Sequence, residues 1–159
     1  MQKLKHIIVA KVENKPGVVS RISGFFTRRG YNIESLVTSV TTDPEVYHLT
    51  ISVICSEDEA SLLIHQLGRI TEIIEVCDTM GVNVTAREFM LIKVNCPVEK
   101  RVEITSTCEF MKTKLIKLND GSATVEVTGD SQKLDNVIKM FESYGIIEIV
   151  RSGAICVID

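Results

Sequence analysis

The chain has 159 residues, of which 45% are apolar and 25% are charged, and its formal net charge is -3. This composition is ordinary for a globular protein with one domain or two very small ones. Neither half of the chain is basic, so its charge indicates no nucleic-acid partner, and no apolar run approaches the ~20 residues that span a bilayer. We therefore expect a soluble, cytoplasmic protein that acts away from membranes.

The cysteines support the same compartment. They are odd in number and widely scattered, without a Cys-x-x-Cys motif or a nearby pair of histidines: Cys55, Cys77, Cys96, Cys108 and Cys156. This pattern predicts reduced, mostly buried thiols and argues against a disulfide framework or a zinc site. The apolar run near the N-terminus ends at Lys11, which is too early for a secretory signal.

The first third of the chain predicts a strand followed by a helix. Residues 4–12 are rich in branched apolar side chains, which favours a strand. Residues 17–29 carry apolar side chains at helical spacing, namely Val18, Val19, Ile22, Phe25 and Phe26. Gly30 follows where a left-handed residue commonly ends a helix. Arg28 and Arg29 suit the negative end of the helix dipole.

The next elements complete a βαββαβ order. The segments NIESLVTSV and VYHLTISVIC flank the turn TTDPE and predict a hairpin. Ser56 and Glu59 have the spacing of a capping box, and the helix that follows carries an apolar stripe of Ala60, Leu63, Ile64 and Leu67. Residues 70–76, ITEIIEV, predict the closing strand.

The same order repeats in the second half. TAREFMLIKVNC predicts a strand, and Pro97 opens a helix through Met111 with Val98, Val102, Thr105 and Cys108 on one side. TKLIKL and ATVEVTG flank Asn119-Asp120-Gly121, a strong hairpin signal. Asp130 or Ser131 caps a last helix, which carries Leu134, Val137, Ile138 and Phe141 and ends at Gly145 before the strand IIEIV.

The repeat predicts an α+β fold of two tandem ferredoxin-like units, residues 1–80 and 81–159. Each unit has an antiparallel sheet of four strands with both helices on one face. The other face and the sheet edges stay open, and small domains usually pair or cover such edges. We therefore expect the protein to associate.

The turn before the first helix is the best candidate for a binding site. Pro16 suits a first helical turn, Gly17 permits close approach to the backbone, and a helix N-terminus attracts a carboxylate or phosphate. Asn14 can cap the helix or reach a ligand, and Asn32 offers a donor and acceptors at the start of the second strand. An ordinary turn and an ordinary helix exit explain the same residues, so spacing leaves both interpretations open.

Catalytic and nucleic-acid functions are disfavoured. The three histidines, His6, His48 and His65, fall in separate elements, and neither a nucleophile triad, a metal cluster nor a phosphate-binding loop is visible. RNA-recognition modules share this strand order but need aromatic residues on the central strands, which LKHIIVAKV lacks. Acylphosphatase-like catalysis requires an arginine in the first loop, whereas Arg21 falls inside the predicted helix.

Taken together, several motifs resemble one family. The segment ENKPGVVSRISGFFTRRGYNIESL is similar to the N-terminal signature of the small regulatory subunit of acetolactate synthase (acetohydroxyacid synthase). Further matches are TTDPEVYHLTI, REFMLIKV and KLDNVIKMFESYGIIEIVRSG. The resemblance extends over nearly the whole chain, and the combination of motifs is far more specific than the turn alone.

The resemblance implies a non-catalytic subunit with two ACT-type domains. The first binds an amino acid and forms a homodimer edge to edge, with the effector at the interface. The partner is a large catalytic subunit that holds thiamine diphosphate, FAD and magnesium and condenses pyruvate with itself or with 2-oxobutyrate. The small subunit raises that activity and confers feedback inhibition by valine or another branched-chain amino acid. The alternative is a free-standing ACT-type module that regulates a different enzyme or a transcription factor.

The resemblance also implies the effector-site residues. Asn14 and Gly17, with Pro16 between them, match the family's effector-binding turn, and Asn32 matches the asparagine at the start of the second strand. Val18 and Ile33 contribute backbone or wall. The effector's carboxylate and ammonium are then held by the turn of one subunit and by Asn32 of the other.

Overall fold

A computed structural model describes residues 2–159, and the chain divides into two compact units. The first comprises the chain up to Thr85 together with Ile155–Asp159, and the second comprises Ala86–Ala154. The domain ranges 1–80 and 81–159 rest on the repeat in the sequence, and they stay a prediction. Contacts group the residues differently because two 13-residue strands, Val84–Cys96 and Ile146–Ile158, run through the division.

The first unit has the predicted βαββαβ order. Its elements are β1 Leu4–Glu13, α1 Val18–Arg28, β2 Ile33–Val40, β3 Val46–Cys55, α2 Glu57–Leu67 and β4 Ile73–Asp78. The four strands form one antiparallel sheet in the order β2-β3-β1-β4, so β2 and β4 are its edges. The hairpin of β2 and β3 is confirmed.

The register of β3 fixes the direction of its two neighbours. In β1, Leu4 pairs with Cys55 and Glu13 pairs with Val46. In β2, Ile33 pairs with Val53 and Val40 pairs with Tyr47. Because β1 and β2 are both antiparallel to β3, they run in the same direction. The end of β1 and the start of β2 therefore lie at opposite ends of the sheet.

The core of the first unit lies between the sheet and its two helices. Alternate side chains of β1 and β3 point into it, because successive residues of a strand face opposite sides. The buried face of α1 consists of Val18, Ile22, Phe25 and Phe26. Val19 was predicted on the same stripe, but it is 36% exposed because it lies at the stripe's edge in the first turn.

The helix ends in the first unit follow the sequence. Gly30 has φ 74°, and its N–H donates to the Thr27 carbonyl at 3.1 Å. The Tyr31 N–H donates to the Phe26 carbonyl at 3.1 Å, which completes a Schellman motif. At α2, the Ser56 and Glu59 side chains form the predicted capping box.

The second unit repeats the order. Its elements are β5 Val84–Cys96, α3 Arg101–Phe110, β6 Lys114–Asn119, β7 Gly121–Gly129, α4 Ser131–Phe141 and β8 Ile146–Ile158. The sheet order is β6-β7-β5-β8. The hairpin at Asn119-Asp120-Gly121 is confirmed, with Asn119 paired to Ser122, and Asp130 is the residue that caps α4.

Two predictions for the second unit are wrong. Val98 and Val102 were predicted on the core side of the third helix, but they are 67% and 79% exposed, whereas Ile104 and Cys108 are buried. Val98 lies in the 3-10 turn Val98–Lys100, before α3 begins, and Val102 is two residues from the buried Ile104, which places it about 200° away around the helix axis. The closing strand is also longer than IIEIV, because β8 continues through Ile158.

Candidate functional site

The turn after β1 leads into a helix that no side chain caps. Gly17 occupies the N-cap with φ 85°, and α1 begins at Val18, so Pro16 lies just before the helix and outside its first turn. The first turn of α1 contains no acidic residue. By contrast, Ser56 caps α2 and Asp130 caps α4. The positive end of the α1 dipole is therefore left for another acceptor.

Asn14 does not cap this helix. Its Nδ2 donates to the Pro44 carbonyl at 2.8 Å, and its backbone N–H donates to the Glu45 carbonyl at 2.7 Å. These two bonds fix the turn against the loop between β2 and β3. Among residues 2–159, no donor reaches the Asn14 side-chain oxygen, so that oxygen is available as an acceptor.

Gly17 and Val18 offer different surfaces. A Cβ built on Gly17 meets no heavy atom within 4 Å, so the backbone of the turn is open on that side. The Val18 side chain is 4% exposed and packs into the core. The Val18 N–H donates to the Lys15 carbonyl at 3.4 Å, so the N–H groups that stay open at this helix start are those of the residues after Val18.

Asn32 and Ile33 lie at the other end of the sheet. Asn32 is exposed and directly precedes β2, whereas the Ile33 side chain is half-buried and packs against the core. Asn14 adjoins the Val46 end of β3, while Ile33 pairs with Val53. At ~3.3 Å per residue, these positions on β3 are about 23 Å apart. One chain thus does not bring the two asparagines together.

The histidines do not form a reactive cluster. His6 is fully buried, and its Nδ1 lies 2.6 Å from Asp78 Oδ2. Burial lowers the pKa of His48, and the nearby Lys11 ammonium lowers it further. His65 is exposed and contacts Arg69 at 2.9 Å. Within residues 2–159, no group of three or more histidine, cysteine or acidic side chains is placed to hold a metal ion.

Four of the five cysteines, all except Cys77, are buried, and burial raises the pKa of the Cys55, Cys108 and Cys156 thiols. These thiols are inert side chains of the interior. In the part of the chain that the structure describes, no helix is long and apolar enough to cross a bilayer.

Sequence reasoning missed one further feature of the first unit. A groove of about 510 Å³ lies along α1, between this helix, the C-terminal end of α2 and the segment before β4, and four arginines line it. The signal for it in the sequence is the Arg28-Arg29 pair, which the helix dipole also explains.

Two family models match the chain, one in each half. Residues 8–75 match the ACT domain of acetohydroxyacid synthase small subunits, and residues 87–158 match the small subunit of acetolactate synthase. In the crystal structure of the acetolactate synthase small subunit from Thermotoga maritima, 28% of residues are identical, and the TM-score is 0.83 over 98% of both chains. The fold is therefore that of tandem ACT-type domains.

Curated relatives are similar over almost the full length. A probable acetolactate synthase small subunit from Archaeoglobus fulgidus is 37% identical over 98% of this chain and 97% of its own. The acetolactate synthase small subunit of Bacillus subtilis is 35% identical over 94% of this chain and 88% of its own. That of Mycolicibacterium smegmatis is 33% identical over 96% and 89%. The chain belongs to the acetolactate synthase small-subunit family.

Proposed function

We propose that this chain is a cytoplasmic regulatory subunit that binds the large catalytic subunit of acetolactate synthase, raises its activity and confers feedback inhibition by valine or another branched-chain amino acid. Membership in the small-subunit family supports the partner. The uncapped start of α1, with its open glycine, is the observation that carries the sensing role. The catalytic subunit supplies the reaction, with thiamine diphosphate, FAD and magnesium, and this chain performs no catalytic step.

The turn suits the carboxylate of an amino acid. The amides of Val19 and Ser20, in the first turn of the helix, have no side-chain acceptor, and the helix dipole favours a negative charge there. The free oxygen of Asn14 can accept from the effector's ammonium group. Asn32 of a second chain adds a donor and an acceptor, which distinguish an amino acid from a plain carboxylate.

The topology supports a site built by two chains. β2 is an edge strand of eight residues, and its backbone groups can pair with the β2 of another copy. A two-fold axis makes such a pair antiparallel, so the start of each β2 meets the end of its partner. The end of β2 lies at the same end of the sheet as Asn14. Pairing therefore brings Asn32 of one chain to the end of the sheet that carries Asn14 of the other.

This arrangement can regulate without catalysing. Sensing at metabolite concentrations requires a dissociation constant of ~10 µM to 1 mM, or about -7 to -4 kcal/mol. An effector bound between two chains favours the dimer arrangement that completes its site. Control of the enzyme follows if the catalytic subunit binds the two arrangements unequally.

Reconstitution with the purified catalytic subunit tests the function. We expect this chain alone to form no acetolactate, and we expect its addition to increase the catalytic subunit's rate several-fold. Valine, leucine or isoleucine should then reduce the rate of the complex. Acetolactate formation by this chain alone, at the rate of the complex, would show the proposal to be wrong, as would failure of the two subunits to associate.

A further inference from the structure

The groove between α1 and α2 belongs to the first unit and extends from Arg21, whose N–H donates to the Gly17 carbonyl at 2.9 Å, to the C-terminal end of α1. Its lining comes from α1, from α2 and from the segment before β4: Arg21, Phe25, Arg28, Arg29, Gln66, Arg69, Ile70, Thr71 and Glu72. The effector turn precedes α1, whereas Arg28 and Arg29 stand at its C-terminal end. Arg28 and Arg29 are therefore separated from the effector turn by most of the length of the helix.

The groove is strongly positive although the chain is acidic overall. Four arginines line it, and Glu72 is the one carboxylate among the lining residues. Glu72 is already paired with Arg21. The other arginines, Arg28, Arg29 and Arg69, have no ion pair with a carboxylate of residues 2–159. Three positive charges are thus left over in a chain whose net charge is -3.

Arg29 is held in place before any partner binds. Its Nε donates to Gln66 Oε1 at 2.6 Å, and its Nη1 donates to the Phe25 carbonyl at 3.3 Å. Its guanidinium lies 3.8 Å from the centre of the Phe25 ring. These contacts leave the outer N–H groups directed to solvent. A fixed guanidinium loses less entropy when it binds a carboxylate than a free side chain does.

The helix ends argue against a small phosphate ligand. Arg28 is the last residue of α1, Arg29 is its C-cap and Arg69 follows the C-cap of α2, so all three stand where helix carbonyl groups carry partial negative charge. Compact anions prefer the N–H groups of helix N-termini. All three arginines are exposed, so their tips extend beyond the carbonyls and can reach carboxylates on an opposing protein surface.

We propose that the groove docks an acidic segment of the catalytic subunit, with Arg28, Arg29 and Arg69 pairing its carboxylates. The proposal rests on the proposed function, because it identifies the surface through which this chain meets its partner. Arginine pairs carboxylates through two parallel hydrogen bonds and is enriched among the residues that dominate interfaces. Phe25 and Ile70 give the groove an apolar floor beneath the charges.

The test compares two variants with the same change in net charge. The double variant Arg28→Glu/Arg69→Glu reverses the groove. The control Lys117→Glu/Lys139→Glu reverses two exposed lysines of the second unit. Affinity of the full chain for the purified catalytic subunit is measured by calorimetry at low and high salt. We expect the groove variant to bind about tenfold more weakly or worse at low salt, with a smaller difference at high salt, and the control to stay within about twofold of wild type.

Other outcomes contradict the inference. Equal weakening by both variants means that net charge, and not the groove, governs association. If pyrophosphate raises the melting temperature of wild type but not of the groove variant, and subunit affinity is unchanged, the groove is a small-anion site. If wild type itself does not bind the catalytic subunit, the proposed function fails and this inference fails with it. Valine-dependent stabilisation of both variants verifies that their first units are folded.

Discussion

At the scale of residues, Gly17 has a left-handed backbone conformation, and the space beside its Cα is open. Its φ of 85° favours glycine, and a Cβ there meets nothing within 4 Å. Gly17→Ala should therefore cost about 1–2 kcal/mol of stability through backbone strain alone, without a clash. The change leaves the turn's charge unaltered. Urea unfolding of both proteins measures this cost.

A carboxylate at the same position should act differently. Gly17→Asp places a negative charge where the effector's carboxylate is proposed to bind, so valine should no longer raise the melting temperature. Gly17→Ala is the matched control, because it imposes at least as much backbone strain without the charge and should retain part of the shift. Equal valine-dependent shifts in wild type and Gly17→Asp would remove this turn from the site.

Glu88 and Arg151 form a partly buried ion pair in the second unit, with side chains 3% and 26% exposed. The two residues belong to the family motifs REFMLIKV and IVRSG. Arg151 Nε and Nη2 donate to the two Glu88 oxygens at 2.8 and 2.7 Å, and Ser131 Oγ donates to Glu88 at 3.1 Å. The hydrogen bonds to Glu88 raise the pKa of Arg151 far above its usual range. The motif residues thus join β5, β8 and α4.

Removing the charge of Glu88 should destabilise the second unit. Glu88 is 4% exposed, so Glu88→Gln leaves Arg151 without its buried partner, at a cost of about 2–4 kcal/mol. Asp135 also accepts from Arg151, but its side chain is 56% exposed, and Asp135→Asn should cost less than about 1 kcal/mol. Denaturant unfolding compares the two. Similar losses for both variants would contradict this account of the network.

At the scale of elements, the capping box of α2 offers a direct measurement. Ser56 Oγ accepts from the Glu59 N–H at 3.3 Å, and Glu59 Oε2 accepts from the Ser56 N–H at 2.8 Å. Ser56→Ala removes the first of these bonds and should cost about 1 kcal/mol. Ser61→Ala, at an exposed position of the same helix, should be neutral or slightly stabilising. Equal effects of the two changes would show that the cap contributes nothing.

The sequence predicts elements best where a local signal dominates. The Asp120-Gly121 turn, the Schellman ending at Gly30 and the capped helices depend on neighbouring residues, and the structure has each of them. The exposed face of α3 was not predicted, because the apolar residues Val98 and Val102 lie outside the buried face that Ile104 and Cys108 form. The length of β8 depends on its pairing with a strand that is distant in the sequence, and local patterns do not predict such pairing.

In the candidate site, likewise, some features follow from the local sequence and others depend on residues that are distant in the chain. Gly17 and the uncapped start of α1 follow from the Asn-x-Pro-Gly turn, which the local sequence predicts. The sequence predicts Asn14 as a helix cap or a ligand contact. In the structure, its side-chain amide donates to the carbonyl of Pro44, a loop residue that the sequence does not place nearby. The positions of Asn14 and Asn32 at opposite ends of one sheet required the strand register.

At the scale of the whole molecule, this separation makes the proposed effector site a property of two chains. A site that needs Asn14 from one chain and Asn32 from another is incomplete in a monomer. Effector binding should then depend on protein concentration, because dilution separates the chains. Analytical ultracentrifugation with and without valine measures this coupling, and we expect valine to strengthen the dimer. A valine-saturated monomer would contradict it.

Mixed dimers test the shared site most directly. A chain with Asn14→Ala and a chain with Asn32→Ala, co-expressed with different affinity tags, form a dimer in which one site has lost both asparagines and the other retains both. Each homodimer of a single variant should bind valine about ten- to a hundredfold more weakly than wild type, because a charge-assisted hydrogen bond contributes roughly 1.5–3 kcal/mol. Calorimetry of the mixed dimer should give one wild-type valine site per dimer. A mixed dimer that binds valine no better than the two homodimers would contradict the account.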